Sequence, residues 1–445
     1  MQVHHNVIDF QKQLPYNVIM DLGIFNPWWR TGIVPAGFVG RKRNIFYQAW
    51  DYISSRQMLI FTGLRRVGKT TLMYQIIDAL IKKEHISPFR IFYFSFDESV
   101  ENLSALVKSY EGDVLKKRIE ETERLFLFFD EVHKLSEWQE KVKILYDLYP
   151  HIKIFLSGSL GLSMRKQARE SLAGRFFEFV IKPLDFEEYL KFKDVTIDSE
   201  REFLFEFELK KYFVDFLKTG GFIEALGFEE EKKAKYFKES LLDRVIYRDI
   251  PESFSIDTPP LFYTLLKLLS SHVGLYLDYK NLGNRLKRDQ RTIATYFSYL
   301  ELAFLVQKLY NYSPNLLTSE KKIKRVYLSN SGFAYALNPQ ISLPLVLEQH
   351  FINLFGTKFF WRSPLKKEID MILIKNDIPV PVEIKIREEI THSDLTSVFK
   401  FLRRYNLEKG YVITKNLNKT FTENTIMVIK AIPYWRYWTL RKEFF

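Results

Sequence analysis

The 445-residue chain contains no cysteine. That excludes a disulfide framework and any thiolate metal site, and it suits a reducing compartment, so the expected location is cytoplasmic. No apolar run approaches the length needed to cross a bilayer, which leaves no candidate membrane-spanning helix. Residues 1–20 carry His4, His5 and Asp9 and lack a continuous apolar stretch, so they do not read as a signal peptide. Negative charge is the minority sign: 54 Asp and Glu stand against 66 Lys and Arg, a net charge of +12. The excess points to an anionic partner, most simply nucleic acid, although surplus lysine that only aids solubility is the competing account. A hydrophobic content of 47% excludes a disordered chain, and the length allows roughly two to four domains with a sizeable core. Most of the 40 Phe and 25 Tyr belong to that core, with some left as candidates for stacking on bases.

Residues 58–72, MLIFTGLRRVGKTTL, organise the rest of the chain. They read as a short apolar strand, a turn opened by Gly63 and the start of a helix. Gly63, Leu64, Arg65, Arg66, Val67, Gly68, Lys69 and Thr70 match G-x-x-x-x-G-K-[ST] at every position, and Thr71 follows. Glycines let backbone N–H groups close around a triphosphate without side-chain clash. Lys69 is placed to reach the β- and γ-phosphates and the Thr70 hydroxyl to coordinate Mg²⁺, while the helix N-terminus adds its dipole. Met73, Ile76, Ile77, Leu80 and Ile81 follow at the spacing of an amphipathic helix. A surface turn that happens to carry Gly-Lys lacks that strand–turn–helix context. ATP and Mg²⁺ are the expected ligands.

Residues 1–37 read as an irregular arm pinned by Trp28 and Trp29, and residues 39–54 as a helix. A second strand is expected at 90–96, a charged helical stretch at 100–123, and a third strand at 124–129, where LFLFF suits burial on both faces of a parallel sheet. That run ends in Asp130-Glu131, with Asp130 placed to hold the Mg²⁺ shell and Glu131 to polarise the attacking water. An ordinary strand-end turn is the competing account, disfavoured by the phosphate-loop motif upstream. Residues 152–156 form a further strand. Ser157 and Ser159 at its tip are both candidates to sense the γ-phosphate. Strands alternating with helices give an α/β fold with a parallel sheet. His133 reads as a packed or solvated residue rather than a ligand.

The blocks GLRRVGKTTL, LFLFFDEVHKLSEWQEKVKILYD, IFLSGSLGL, SLAGRFFEFVIKPLDFEEYL and TGGFIEAL occur in this order. Together they resemble the AAA-type P-loop ATPases of archaea and bacteria that carry a C-terminal domain of uncharacterised function, over nearly the whole chain after about residue 38. The resemblance implies an ATPase core, a small helical lid, a winged helix and a restriction-endonuclease-like α/β domain. Arg175 in SLAGR matches the family's recurrent arginine. Two readings stay open for it: neutralising transition-state charge, in the same or a neighbouring subunit, or an ion pair that fixes the lid. The expected domains are an arm at 1–37, the core at 38–190, the lid at 191–258, the winged helix at 259–330 and the nuclease-like domain at 331–445. Arg248-Asp249-Ile250-Pro251 resembles a family segment closing the lid, with no chemistry assigned to it.

Residues 259–330 read as helices at 261–269, 279–286 and 290–302 and strands at 305–312 and 324–328 joined by a basic loop, the winged-helix order. Arg285, Lys287, Arg288, Arg291, Lys321, Lys322, Lys324 and Arg325 then face DNA phosphates. A protein-docking winged helix with solvated charge is the alternative. Further on, Glu348 shares a helical face with Phe351, Ile352 and Phe355, and a carboxylate there is costly unless paired or metal-bound. Asp370 starts a hairpin strand, and Glu383 and Lys385, two apart, point to one face of its partner. The set resembles the restriction-endonuclease-like site, which implies catalytic roles for Glu348, Asp370, Glu383 and Lys385, with Asp370 and Glu383 holding Mg²⁺ and Lys385 orienting water. A retained fold without cleavage is the other reading. The expectation overall is an ATPase coupled to DNA binding and Mg²⁺-dependent DNA cleavage. Its rival is a nucleotide-operated switch or scaffold, and assembly of several copies stays open.

Overall fold

Runs of Ile, Leu and Phe without polar interruption build a five-stranded sheet: β1 (Met58–Thr62), β2 (Ile91–Ser95), β3 (Leu125–Asp130), β4 (Ile152–Gly158) and β5 (Phe176–Val180). The computed structural model describes residues 22–98, 102–158, 171–196, 202–254, 256 and 258–444. It contains two units: Met1–Gly63 with Gly68–Ile181, and Lys182–Phe445 together with Leu64–Val67. In the first unit the strand order is β2-β3-β4-β1-β5, and every pairing is parallel. β1, β3 and β4 are buried along their whole length, as a sheet covered on both faces requires. Helix α1 (Lys69–Lys82) buries Leu72, Met73, Ile76, Ile77 and Leu80. Each such side chain contributes roughly 1.5–3 kcal/mol when fully removed from water. Helix α2 (Trp138–Leu148) buries Trp138, Val142, Leu145 and Tyr146.

The part of the arm that lies within the described residues is ordered into short helices, among them Trp28–Thr31 and Ala36–Val39, rather than irregular chain. Both indole N–H groups donate to the Ile91 carbonyl, at 3.1 Å from Trp28 and 2.9 Å from Trp29. The buried Asn26 amide exchanges bonds with the backbone of Tyr93 at 2.9 and 2.7 Å. The helix expected over 39–54 is confined to Asn44–Trp50, and the charged stretch 100–123 is helical from Leu103 to Tyr110 before it breaks into short turns.

The second unit has a helix at Phe186–Phe192, then α3 (Glu206–Thr219), capped by Gly220 in the left-handed region, and continues through wide π-type turns at Tyr236–Leu242 and Val245–Asp249. Next come α4 (Pro260–Ser271), α5 (Tyr279–Leu286) and α6 (Gln290–Leu302). Asp278 caps α5 through the Asn281 N–H at 3.0 Å, and Asp289 caps α6 through the Arg291 N–H at 2.7 Å. Between them Lys287 takes a left-handed conformation, and the Arg288 N–H donates to the Gly283 carbonyl at 2.9 Å. The connection between β7 (Val306–Asn311) and β8 (Lys324–Leu328) is not a plain basic loop, because it carries the short helix α7 (Leu316–Lys321).

Helix α8 (Leu343–Phe355), strands β9 (Phe359–Arg362), β10 (Glu368–Lys375), β11 (Ile378–Lys385), β12 (Lys409–Thr414), β13 (Lys419–Glu423) and β14 (Met427–Pro433), and helices at Ser331–Leu337, Thr396–Tyr405 and Trp438–Phe444 complete the unit. With β6 (Leu275–Tyr276) they form a nine-stranded mixed sheet in the order β13-β14-β12-β11-β10-β9-β7-β8-β6. β7 pairs in parallel with β9 through Tyr310 with Phe359 and Asn311 with Phe360. One sheet therefore runs straight across the boundary expected at residues 330 and 331. No helix among the described residues is long and apolar enough to cross a membrane.

Candidate functional site

Gly68 sits at φ 95°, in the left-handed region that a side chain would strain, and its position lets the chain turn from the loop directly into α1. Lys69 follows, 5% exposed, with its ammonium donating to the Gly63 carbonyl at 3.2 Å. Leu64 and Val67 are buried, so the loop's own apolar side chains anchor it. Thr71 is half-buried in the first turn of α1.

Thr70 Oγ1 donates to Asp130 Oδ2 at 2.5 Å. The same carboxylate accepts from Tyr93 OH at 2.9 Å, from the Ser157 hydroxyl, and from the Glu131 N–H at 3.1 Å. Burial, and then the neighbouring charge of Glu131, push the Asp130 pKa up; the bonds from Ser157, Thr70 and Tyr93 pull it back. A hydroxyl and a carboxylate oxygen in contact, in a buried pocket at the start of a helix, form an oxygen pair of the kind that Mg²⁺ accepts. Ser157 is thus in contact with Asp130, and Ser159 lies outside the described residues. Glu131 adopts φ 49°, ψ 37°, a left-handed conformation in a non-glycine residue, so the backbone is locally strained at the residue next to this pair. Its Oε2 lies 3.4 Å from His133 Nδ1, so His133 is packed against Glu131.

Arg65 and Arg66 occupy variable positions of the loop, and neither points into solvent alone. Arg65 Nε and Nη2 donate to the two oxygens of Asp249 at 2.5 and 2.9 Å, and Arg66 pairs with Glu224. Asp249, to which the sequence assigned no chemistry, is therefore the fixed partner of a phosphate-loop arginine. Tyr93 on Asp130 was likewise not foreseen; its signal is only that β2 pairs with β3 so that Ser95 lies opposite Asp130. Arg175 is joined to Asp147 of α2 by two contacts, 2.9 and 3.2 Å. The pairing lowers the Asp147 pKa and raises that of Arg175. The partner is a residue of α2 and not one of 191–258.

Arg285, Lys287, Arg288 and Arg291 are exposed around the turn between α5 and α6. Arg325, expected among them, is turned inward and 8% exposed. Its Nη2 donates to Glu348 Oε1 at 3.0 Å, and Nη1 lies 3.7 Å from Asp370 Oδ1. Tyr327 OH also donates to Glu348, at 2.8 Å. Asp370 Oδ2 accepts the Ile384 N–H at 2.9 Å, tying β10 to β11, and Lys385 Nζ lies 2.5 Å from Glu383 Oε1. Burial, reinforced by the charge of Asp370, raises the pKa of both Glu348 and Glu383. The four residues are thus gathered in one region, but each carboxylate has taken a protein partner. Among the described residues no three His, Asp or Glu side chains converge to hold a metal. Of the two acids expected to hold Mg²⁺, Asp370 lies beside the Arg325 guanidinium, which also pairs with Glu348, and Glu383 lies beside Lys385.

A family model described as an AAA domain matches residues 55–190, and models described as domains of unknown function, DUF8612 and DUF4143, match 210–343 and 348–437. The uncharacterized protein MJ1637 of Methanocaldococcus jannaschii is 30% identical over 409 residues, which cover 81% of this chain and 81% of that protein. The chain belongs to its family, an AAA-type ATPase family. A second protein of the same archaeon, MJ1544, is 26% identical over 399 residues, 86% of this chain and 88% of its own length. Among solved structures, the Walker-type ATPase PABY2304 of Pyrococcus abyssi is similar at 14% identity and a TM-score of 0.38, over 66% of this chain and 95% of that one. The AAA domain contains the phosphate loop, Asp130, Glu131 and Arg175, whereas Arg325 and the four C-terminal residues fall in the two regions of unknown function.

Proposed function

We propose that this chain binds and hydrolyses ATP at residues 63–71 with Asp130 and Glu131, and that nucleotide turnover governs its hold on DNA through residues 259–330. The observation that carries the first part is the contact between Thr70 Oγ1 and the buried Asp130 carboxylate beside Lys69. Thr70 and Asp130 are the residues that would hold Mg²⁺, which when bound neutralises phosphate charge. Lys69 exchanges its bond to the Gly63 carbonyl for the phosphates, and Glu131 orients the attacking water. DNA binding rests on the α4–α5–α6–β7–β8 order, read as a winged helix, and on the exposed arginines and lysine at the α5–α6 turn.

For the C-terminal domain, read as nuclease-like, the ion pair between Arg325 and Glu348 favours a fold retained for binding over one that cuts. The test of the main reading is the ATPase rate of wild type, Lys69→Ala and Glu131→Gln in Mg²⁺, with and without duplex DNA. Lys69→Ala should lose nucleotide affinity, while Glu131→Gln should bind ATP and turn it over very slowly. DNA should stimulate the wild type. Full turnover by Glu131→Gln would move the water-activating role to another residue, and indifference to DNA would favour a switch that answers to a protein partner.

A further inference from the structure

Arg325 is seated more elaborately than a chance ion pair requires. Its Nε donates to the Gly274 carbonyl at 3.1 Å, its Nη2 reaches Glu348, and its Nη1 faces Asp370. The guanidinium carbon lies 5.7, 5.2 and 5.8 Å from the ring centres of Tyr276, Tyr327 and Phe360, within the range of cation–π attraction. Gly274 stands at φ 70°, and a Cβ there would fall 2.3 Å from Arg325 Nη2. The glycine is therefore what leaves room for the side chain. Carbonyl, carboxylates and rings converge on one planar cation, each suited to a guanidinium.

We infer that Arg325 has taken the seat of a divalent cation in the C-terminal acidic centre, so that this centre carries its own counter-charge and neither takes up metal nor cleaves nucleic acid. The inference rests on the nuclease-like reading of Glu348, Asp370, Glu383 and Lys385. A guanidinium within reach of both Glu348 and Asp370 repels a second cation, and its Nε bond to the Gly274 carbonyl and the three rings around it hold it there. Glu383 in turn is matched by Lys385, so two protein cations face the three carboxylates and the formal charge of the cluster falls from −3 to −1 without a metal ion. Arg325 comes from β8, 23 residues before Glu348 on α8, and the sheet order β10-β9-β7-β8 joins its strand to the one that carries Asp370.

The experiment is Mn²⁺ titration of the full chain without nucleotide, followed by the electron paramagnetic resonance of free Mn²⁺, on wild type, Arg325→Met, Asp370→Asn and Arg325→Met with Asp370→Asn. The Asp370→Asn partner of each pair subtracts every other site. Wild type should show no Asp370-dependent uptake, and Arg325→Met should gain an Asp370-dependent Mn²⁺ site once the resident charge is gone. Should Arg325→Met fail to fold, Arg325→Gln, which keeps donors for the Gly274 carbonyl and Glu348, replaces it. Asp370-dependent uptake by wild type would overturn the inference while leaving the nuclease-like reading in place. Uptake by neither wild type nor the folded variant would overturn both, since there would then be no metal seat for the arginine to have taken.

Discussion

Asp249→Ala asks whether the phosphate loop is held by its own arginine. Two contacts of 2.5 and 2.9 Å join Arg65 to Asp249, whose side chains are 13% and 3% exposed. Removing the carboxylate takes both of these contacts from a nearly sealed guanidinium, a change that costs about 3–5 kcal/mol for a buried pair. The water that still reaches Arg65 places the expected loss near the lower end, about 3 kcal/mol. Arg65→Ala strands the more deeply buried partner and should cost about 4 kcal/mol. The double variant removes both charges and should fall short of the sum by about 2 kcal/mol or more. Urea unfolding of the four proteins measures that coupling, and amide exchange across residues 63–70 reports whether the loop loosens with it. If the pair also sets the loop's nucleotide-ready conformation, each single variant loses about tenfold in affinity for a non-hydrolysable ATP analogue, the equivalent of about 1.4 kcal/mol. Stabilities that add to within about 0.5 kcal/mol would refute the coupling, and wild-type analogue affinity in Asp249→Ala would show that the pair does not organise the loop.

Two other outcomes are expected. Replacing Arg288 and Arg291 with alanine should weaken DNA binding about equally for unrelated sequences and flatten its salt dependence by roughly 0.9 per lost phosphate contact; an unchanged slope would place the DNA elsewhere. His350 is sealed among Phe213, Phe216 and Phe351, its Nε2 lacks a hydrogen-bond partner, and burial lowers its pKa from 6.5 to about 3. The folded protein thus keeps it neutral while the unfolded chain protonates it, so its contribution is complete above pH 6.5 and drains away as pH falls towards 3. Between pH 7.5 and 5 that loss is about 2 kcal/mol. Urea midpoints should therefore fall more steeply with acid in wild type than in His350→Leu, and equal slopes would show that this group does not drive the change.

The candidate nucleotide site is legible in the sequence because its pattern is local: loop, lysine, threonine and the start of the helix lie within about fifteen residues, and Asp130-Glu131 follows a strand whose apolar run is unbroken. The three helices at 260–302 were legible for the same reason, from periodicity and the Asp caps. What stayed hidden depends on distant pairing. Asp249 meets Arg65 across 184 residues, and nothing near Asp249 marks it as a partner for the loop. Edge strand β5 was not read as a strand, since its residues alternate only weakly between buried and exposed. Arg325 was read as facing DNA because its neighbours Lys321, Lys322 and Lys324 are basic. On a strand, though, adjacent side chains point to opposite faces, and only the fused sheet reveals what lies on the inner one.

The sharing of β7 between the β7–β8 hairpin and the C-terminal strands also limits how this protein can be rebuilt. A chain ending at residue 330 would keep every helix of the α4–α6 segment, yet it would strip β9 from the flank of β7 and bare an unpaired row of backbone donors and acceptors. Shuffling the C-terminal region between relatives meets the same obstacle: an incoming partner has to supply a matching strand edge as well as acids that accept Arg325. The two stretches thus share one sheet and form a single structural module.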